Sequence, residues 1–186
     1  MARIDNKKVA ILATHGFEQS ELEHPLNALR EAGAEVDVIS PESGEIKGWE
    51  GSDWGKPVAV DKVLDDAQAD HYDALVLPGG QINPDLLRAN PTAVEFVKAF
   101  WSVGKPIGAI CHGPWLLVEA DVVKGRKITS YHSIKTDVVN AGGEWEDSEC
   151  VTDNGLVTSR NPDDLPAFSA KMIEEIAEGR HDLSAA

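Results

Sequence analysis

The segment Ile107-Gly-Ala-Ile-Cys-His-Gly-Pro-Trp-Leu-Leu117 is the stretch of this 186-residue chain that decides its fold. An apolar run of buried-strand type ends directly at Cys111, and Pro114 stands where the first turn of a helix tolerates proline. A strand that turns sharply into a helix and presents a nucleophile has the geometry of a nucleophile elbow, here with cysteine in place of serine. The segment therefore predicts an α/β sheet with a reactive group at the carboxyl end of one strand.

Strands and helices alternate along the rest of the chain, which predicts parallel strands joined by helical crossovers. Residues 41–64 break this pattern, since their glycines and Trp49 and Trp54 indicate a hairpin or loop excursion. Pro25 in the first predicted helix is tolerable only in the first turn or at a kink. We expect one domain, residues 1–186, with a doubly wound, mostly parallel sheet of the flavodoxin-like sandwich type. The predicted strands are 8–13, 34–40, 73–78, 105–110 and 127–130 with a ribbon at 149–152 and 155–159, and the predicted helices are 18–32, 91–103, 112–120, 134–140 and 163–178.

The composition narrows the class of protein. With 17 Lys and Arg against 32 Asp and Glu, the net charge is −15, which disfavours nucleic-acid backbones and anionic membranes as partners. No apolar stretch approaches the roughly 20 residues of a membrane-spanning helix, and the N-terminus lacks the apolar core of a signal peptide. The two cysteines, Cys111 and Cys150, are too few for a disulfide framework, so we expect a cytoplasmic protein.

The setting of Cys111 predicts an activated thiol. A helix N-terminus stabilises a thiolate, so we expect a pKa below the ordinary value of about 8.5. The backbone N–H of His112 is one candidate oxyanion donor, and the Gly79-Gly80 turn at the end of a neighbouring strand supplies a second, for which we name Gly80. The alternative is an inert buried cysteine, the commonest state of this residue. Neither metal-binding spacings nor a dinucleotide-binding glycine motif occurs, so we predict no metal and no cofactor.

The segment Ala109-Ile-Cys-His-Gly-Pro114 resembles the nucleophile segment of the PfpI-like intracellular proteases, within the class I glutamine-amidotransferase-like superfamily. Further matching motifs follow the same order over nearly the whole chain. That superfamily also includes the parkinsonism-associated deglycase and glyoxalase-like members that need no cofactor. The other matching motifs are Gly16-Phe-Glu18, Leu77-Pro-Gly-Gly80, Gly125-Arg-Lys127, Thr129-Ser-Tyr131, Thr158-Ser-Arg160 and Asp163-Asp-Leu-Pro166.

The resemblance implies a role for each matching residue. Cys111 is the nucleophile, and His112 is the acid or base. The resemblance implies that Glu18 points its carboxyl group at the thiol, whereas the residue pattern alone favours a helix-start carboxylate. Asp85 matches the position at which the proteases place a glutamate that orients the histidine across a subunit interface, which implies a homodimer or a higher homo-oligomer. Tyr131 lies near the substrate pocket.

Three functions are compatible with this sequence. A thiolate attacks small carbonyl compounds or their adducts on proteins and peptides, as in a deglycase or glyoxalase. The same groups suit peptide hydrolysis through an acyl-enzyme. A non-enzymatic oxidative-stress sensor or chaperone with an oxidisable Cys111 is the alternative. Glutamine amidotransfer is disfavoured, because residues 158–168 lack the histidine that the superfamily's glutaminases place two residues before a glutamate.

Overall fold

The computed structural model describes residues 2–181, so Met1 and residues 182–186 of the predicted domain lie outside the described part. Within that part, no helix is both long enough and apolar enough to cross a membrane. The strands are β1 (Lys8–Leu12), β2 (Glu35–Ser40), β3 (Glu45–Glu50), β4 (Asp53–Ala59), β5 (Lys62–Val63), β6 (Ala74–Leu77), β7 (Ile107–Ile110), β8 (Lys127–Ile128), β9 (Glu144–Trp145), β10 (Val151–Asp153) and β11 (Leu156–Ser159). The helices are α1 (Gln19–Glu31), α2 (Ile82–Arg88), α3 (Pro91–Ser102), α4 (Pro114–Glu119), α5 (Lys135–Asn140) and α6 (Leu165–Glu178).

The main sheet of the described residues has the strand order β10-β11-β7-β6-β1-β2-β5. Its neighbouring strands are parallel, except that β10 runs antiparallel to β11. The chain winds outward from β1 in both directions, which confirms the predicted doubly wound, mostly parallel sheet. At such a reversal, the loops that follow the strands separate and leave a crevice at the carboxyl edge of the sheet. The loops after β1, β6 and β7 meet at this edge.

Both faces of the sheet are buried under helices, which explains why its strands are continuous apolar runs. In β1, Val9 and Ile11 belong to the core layer under α1 and α6, whereas Ala10 and Leu12 belong to the layer under α3 and α4. All four side chains are inaccessible to solvent. The strands are thereby fixed on both sides, and their loops at the carboxyl edge rest on a rigid base.

The hairpin alternative for residues 41–64 is confirmed, because β3 and β4 form an antiparallel pair of their own. Trp49 and Trp54 face each other across the hairpin, with their ring centroids 5.5 Å apart in an edge-to-face arrangement. The backbone N–H of Trp49 donates to the carbonyl of Phe17 at 2.6 Å, and a single β-bridge joins Trp49 to Glu18. The hairpin is thus attached to the loop between β1 and α1, at the carboxyl edge of the sheet.

Two helices differ locally from the sequence prediction. The helix α2 occupies residues for which the sequence pattern predicts no helix, and Pro84 lies in its first turn, where a missing N–H costs nothing. Pro25 lies inside α1 rather than in its first turn. Because proline has no N–H, the carbonyl of Glu21 lacks its helical partner at this point.

Asn83 connects the loops that follow β1 and β6. Its Oδ1 accepts a hydrogen bond from the backbone N–H of Thr14 at 2.8 Å. Its Nδ2 donates to the carbonyls of Pro78 at 2.9 Å and Gly79 at 3.0 Å. The side chain is inaccessible to solvent, so water does not replace these bonds. Asn83 therefore fixes the Gly79-Gly80 turn relative to the end of β1.

We expect Asn83→Ala to lower the free energy of unfolding by about 2–4 kcal/mol, because it leaves the buried N–H of Thr14 without an acceptor. Urea denaturation measures this change. The matched control is Asn27→Ala, on the exposed face of α1, with an expected change within about 0.5 kcal/mol. Equal effects of the two substitutions would contradict the assigned role of Asn83.

Candidate active site

Cys111 occupies the turn between β7 and α4 in a backbone conformation that is unusual for a side-chain-bearing residue, with φ at +61°. Two flanking segments hold it there. Its N–H donates to the carbonyl of Ser159 at 3.0 Å, and its carbonyl accepts from the N–H of Tyr131 at 2.9 Å. A strained backbone that the surrounding structure enforces is typical of functional sites. The structure thus has the geometry of the predicted nucleophile elbow.

The pKa of the Cys111 thiol is raised, which is the reverse of the direction that the sequence predicts. Burial is the largest cause, since only 7% of the residue is accessible, and the negative charge of Glu21 is the second. Hydrogen bonds from the backbone N–H groups of Gly80 and His112 oppose the rise. The expected helix-dipole effect is small because α4 has 6 residues and begins only at Pro114.

Glu21 is a second buried acid of the site, and the sequence analysis missed it. Its Oε2 accepts a hydrogen bond from the N–H of Gly79 at 2.9 Å, while its Oε1 is buried without a hydrogen-bond partner. Burial raises the pKa of this carboxyl group to about 8, against the opposing effect of hydrogen bonding to the Cys111 thiol. At neutral pH the Glu21 carboxyl group is therefore mostly protonated.

The structure assigns to Glu21 the contact with the thiol that the resemblance implies for Glu18. Glu18 is the residue just before α1, half-buried, and the nearest hydrogen-bond partner of its carboxyl group is the Ser20 hydroxyl, at 3.5 Å. A helical signal for Glu21 exists in the sequence. Residues 21, 25 and 29 lie four apart on the buried stripe that faces the sheet, so the helical period places Glu21 in the protein interior.

His112 contacts the thiol, as the resemblance implies. Its Nδ1 lies 3.1 Å from the Cys111 sulfur, and its Nε2 lies 3.1 Å from the hydroxyl of Ser133. The ring stacks on Tyr131, with centroids 4.9 Å apart and planes at 25°. Burial, followed by the charge of His132, lowers the pKa of His112 to about 4. The imidazole is therefore neutral at physiological pH, and Ser133 is a further neighbour that the sequence analysis missed.

Asp85 does not meet His112 within the chain. It lies on α2 with 56% of its side chain exposed, and Arg88 binds its carboxylate at 2.7 Å. On the same chain, the hydrogen-bond partner of His112 Nε2 is Ser133 rather than a carboxylate. The predicted contact between subunits involves a second chain and remains a prediction.

The Gly79-Gly80 turn admits no larger residues. A methyl group on Gly79 would lie 2.5 Å from Oε2 of Glu21 and 2.6 Å from Cβ of Cys111. Gly80 has a φ of +76°, and a methyl group there would overlap the carbonyl of Gly16. Glycine at both positions lets the turn approach the thiol, so that the Gly80 N–H interacts with the sulfur, as the His112 N–H does, and also with the Glu21 carboxyl group. Two converging N–H groups are the requirement of an oxyanion-binding site.

These groups open into a pocket of about 450 Å³. Among the described residues, one group has three side chains that could share a metal ion, and it lies elsewhere, at the end of α6. Its ligand atoms, from Glu175, Glu178 and His181, lie within 4.8 Å of one another, and His181 already pairs with Glu175 at 3.2 Å. The pocket residues with functional side chains are Glu18, Glu21, Trp49, Cys111, His112 and Tyr131.

Comparison with known proteins agrees with this geometry. The model of the DJ-1/PfpI family matches residues 7–175. The chain belongs to the DJ-1/PfpI family. Among family relatives, protein/nucleic acid deglycase 2 of Escherichia coli is 46% identical over 90% of this chain and 96% of its own length. The putative cysteine protease YraA of Bacillus subtilis is 45% identical over 90% and 97%, and deglycase PfpI of Pyrococcus furiosus is 44% identical over 90% and 98%.

Solved structures of the family share the fold. DJ-1beta of Drosophila melanogaster superposes with a TM-score of 0.83 at 27% identity, covering 96% of this chain and 95% of that one. A two-domain protein from Anabaena variabilis, with DJ-1/ThiJ/PfpI-like and ferritin-like domains, gives a TM-score of 0.88 at 36% identity. That match covers 92% of this chain and 48% of the two-domain protein, so the present chain spans about half of it.

The raised pKa of Glu21 predicts a specific pH dependence of stability. The unfolded carboxyl group releases its proton near pH 4.5 and the folded one near pH 8, so its stabilising effect is complete below 4.5 and is lost as the pH rises through 8. Relative to Glu21→Gln, the wild-type protein should lose about 1.4 kcal/mol of unfolding free energy per pH unit in this window. Urea denaturation at four pH values between about 5 and 8 measures the difference.

The control for this experiment is Glu31→Gln, which removes one carboxylate from the exposed end of α1. Its stability relative to the wild type should stay constant across the same window, because an exposed carboxylate is hydrated in both the folded and the unfolded chain. If the difference in unfolding free energy between the wild type and Glu21→Gln were also independent of pH, Glu21 would be ionised in the folded protein at neutral pH.

Proposed function

We propose that this protein is a cysteine-dependent deglycase, which hydrolyses adducts of 2-oxoaldehydes such as methylglyoxal on amino groups. The names of its relatives support a hydrolase-type enzyme, since they include deglycases and a putative cysteine protease. The observation that carries the proposal is the fully buried Glu21 carboxyl group, which forms a hydrogen bond with the Cys111 thiol. Together these two groups can pass the thiol proton to a leaving amine, so the buried pair carries no net charge.

In the first step, the Cys111 sulfur attacks the carbon that bears the adduct nitrogen. The carbon–nitrogen bond breaks as the carbon–sulfur bond forms, and the product is a hemithioacetal on Cys111. The leaving amine takes a proton from the Glu21 carboxyl group, which recovers one from the thiol. The buried pair is therefore left without a charge, which matters because an isolated ion in this site would be costly.

In the second step, the hemithioacetal rearranges to a thioester. The neutral imidazole of His112 removes the proton from the carbon bound to sulfur and returns it to the neighbouring carbonyl carbon. The N–H groups of Gly80 and His112 stabilise the negative oxygen of the enediolate between the two transfers. One carbon of the substrate is oxidised and the neighbouring carbon is reduced, so no external electron carrier takes part. Hydrolysis of the thioester then releases a 2-hydroxy acid and restores the thiol.

Peptide hydrolysis is the second candidate, and the name of the Bacillus subtilis relative favours it. It uses the same nucleophile and the same N–H groups, but the intermediate is an acyl-enzyme formed from a peptide carbonyl. Only the neutral form of His112 is populated at physiological pH, so the leaving amine of a peptide would depend on Glu21 for its proton. The comparison of a methylglyoxal-treated peptide with the same untreated peptide separates the two activities.

We expect Cys111→Ser to abolish lactate release from a methylglyoxal-treated peptide that has been freed of unreacted methylglyoxal. Glu21→Gln should lower kcat by about 100-fold or more, because glutamine cannot transfer the proton. The matched control Cys150→Ser, at the half-buried second cysteine, should retain full activity. Enzymatic lactate determination and recovery of the unmodified peptide are the measurements. Lactate release by Cys111→Ser, or one turnover per thiol in the wild type, would refute the proposal.

We also propose that the chain forms a homodimer in which Asp85 of each subunit approaches His112 of the other. A carboxylate near His112 would raise the pKa of the imidazole towards neutrality and strengthen it as a base. Asp85→Asn should therefore lower kcat by about tenfold or more at neutral pH. Light scattering and pH–rate profiles test the proposal, with Asp65→Asn, an exposed residue elsewhere, as the control. A fully active monomer at the assay concentration would contradict it.

A further inference from the structure

A second cavity, of about 250 Å³, lies at the amino edge of the main sheet, opposite the edge that carries Cys111. Because β1, β6 and β7 are neighbours in the sheet, the segments that precede these three strands meet at this edge. The end of α6 reaches the same place. The charged side chains that line the cavity are three cations and two carboxylates, namely Lys7, Lys105, Arg180, Asp70 and Asp73.

Lys105 brings a buried amine to this cavity, since only 6% of the residue is accessible to solvent. Its Nζ donates to the carbonyl of Ala69 at 2.9 Å and lies 5.5 Å from the ring centroid of Phe100. Within the described part of the chain, Lys105 forms no ion pair with a carboxylate. Burial lowers the pKa of Lys105, and the charges of Asp70 and Arg180 act on it in opposite directions. Buried charges are normally paired, so a bound anion would stabilise this ammonium group.

The two carboxylates of the cavity do not neutralise its three cations. Oδ2 of Asp73 accepts the backbone N–H of Lys8 at 2.8 Å, and its Oδ1 lies 3.7 Å from Nζ of Lys7. Asp70 is exposed and, like Arg180, forms no ion pair with any other residue of the range 2–181. The cavity therefore carries one positive charge in excess, in a chain whose net charge is −15.

A phosphoryl group fits the size and the chemistry of this cavity. Its several oxygens accept paired N–H groups from a guanidinium, while ammonium groups balance its charge. The exposed His71 also lines the cavity and offers a ring nitrogen as a further polar contact. Beyond Tyr72 and Ile176 the lining has no large apolar side chain, so a large apolar ligand would find little surface to contact. The net charge of −15 disfavours a long polyanion, which leaves small phosphate-bearing molecules.

We propose that this cavity binds the phosphoryl group of a small anion, either inorganic phosphate or a phosphomonoester, through Lys105, Lys7 and Arg180. The site is separate from the thiol pocket, because β7 runs from Ile107 to Ile110 between Lys105 and Cys111. The inference is therefore independent of the proposed deglycase function. The bound anion replaces the hydration that burial takes from the Lys105 ammonium group. Because its contacts come from three distant segments of the chain, it binds the folded protein and stabilises it.

Isothermal titration of the whole protein with inorganic phosphate and with glycerol 2-phosphate, at constant ionic strength, tests the proposal. At least one of the two should bind with a Kd of about 1 mM or tighter, and a preference for one identifies the source of the phosphoryl group. Lys105→Met keeps the length of the side chain but removes its charge, and should weaken binding by about tenfold or more. The matched control is Lys56→Met, on the exposed β3–β4 hairpin, and should leave the Kd unchanged.

Two further variants keep the test decisive. Arg180→Gln changes an exposed side chain, so it replaces Lys105→Met if that variant fails to fold, and it should weaken binding by about fivefold. Cys111→Ser should bind the same probe as tightly as the wild type, because the thiol lies at the opposite edge of the sheet. Loss of binding in Cys111→Ser would place the anion in the thiol pocket and overturn the inference. Equal weakening by Lys56→Met, or no binding of either probe, would overturn it as well.

Discussion

The proximity of the Cys111 thiol and the Glu21 carboxyl group is the constraint on which the rest of the site depends. Both groups are buried, and neither can ionise alone without a large loss of hydration. The two acids therefore titrate as a pair, and a proton that leaves one is available to the other. The N–H of Gly79 holds one carboxyl oxygen and leaves the other free for that exchange. A carboxylate fixed by several donors would be a permanent anion and would hinder formation of a thiolate.

The topology of the sheet brings these groups together from distant parts of the chain. Glu21 belongs to the helix after β1, the glycine turn follows β6, and Cys111 follows β7. These strands are consecutive in the sheet, with β6 in the middle, so their carboxyl ends converge. Asn83 then ties the first two loops to each other. The precision of the site thus derives from a buried parallel sheet, while the loops contribute only short connections.

The sequence predicts the sheet and the nucleophile because both are local patterns. The strand-to-helix turn at Cys111 is visible in eleven consecutive letters, and burial on both faces makes the strands continuous apolar runs. The helix dipole favours a carboxylate at Glu18 and at Glu21 alike, so it does not indicate which of the two contacts the thiol. That contact depends on which side of α1 faces the glycine turn. The thiol pKa was mispredicted for a similar reason, since burial and Glu21 outweigh a short helix. The position of Asp85 depends on a second chain that a single sequence does not describe.

The β3–β4 hairpin forms a small sheet of its own and joins the rest of the molecule through Trp49 and the loop before α1, and through Ile46, which is buried in the main core. The floor of the pocket comes from the main sheet, whereas this wall comes from an excursion between two strands. The exposed tip of the hairpin, around Gly51, is thus separable from the chemistry, since it can change without moving the thiol, the carboxyl group or the glycine turn. Substitutions at the hairpin tip would therefore alter the wall that meets a ligand and leave the reacting groups in place.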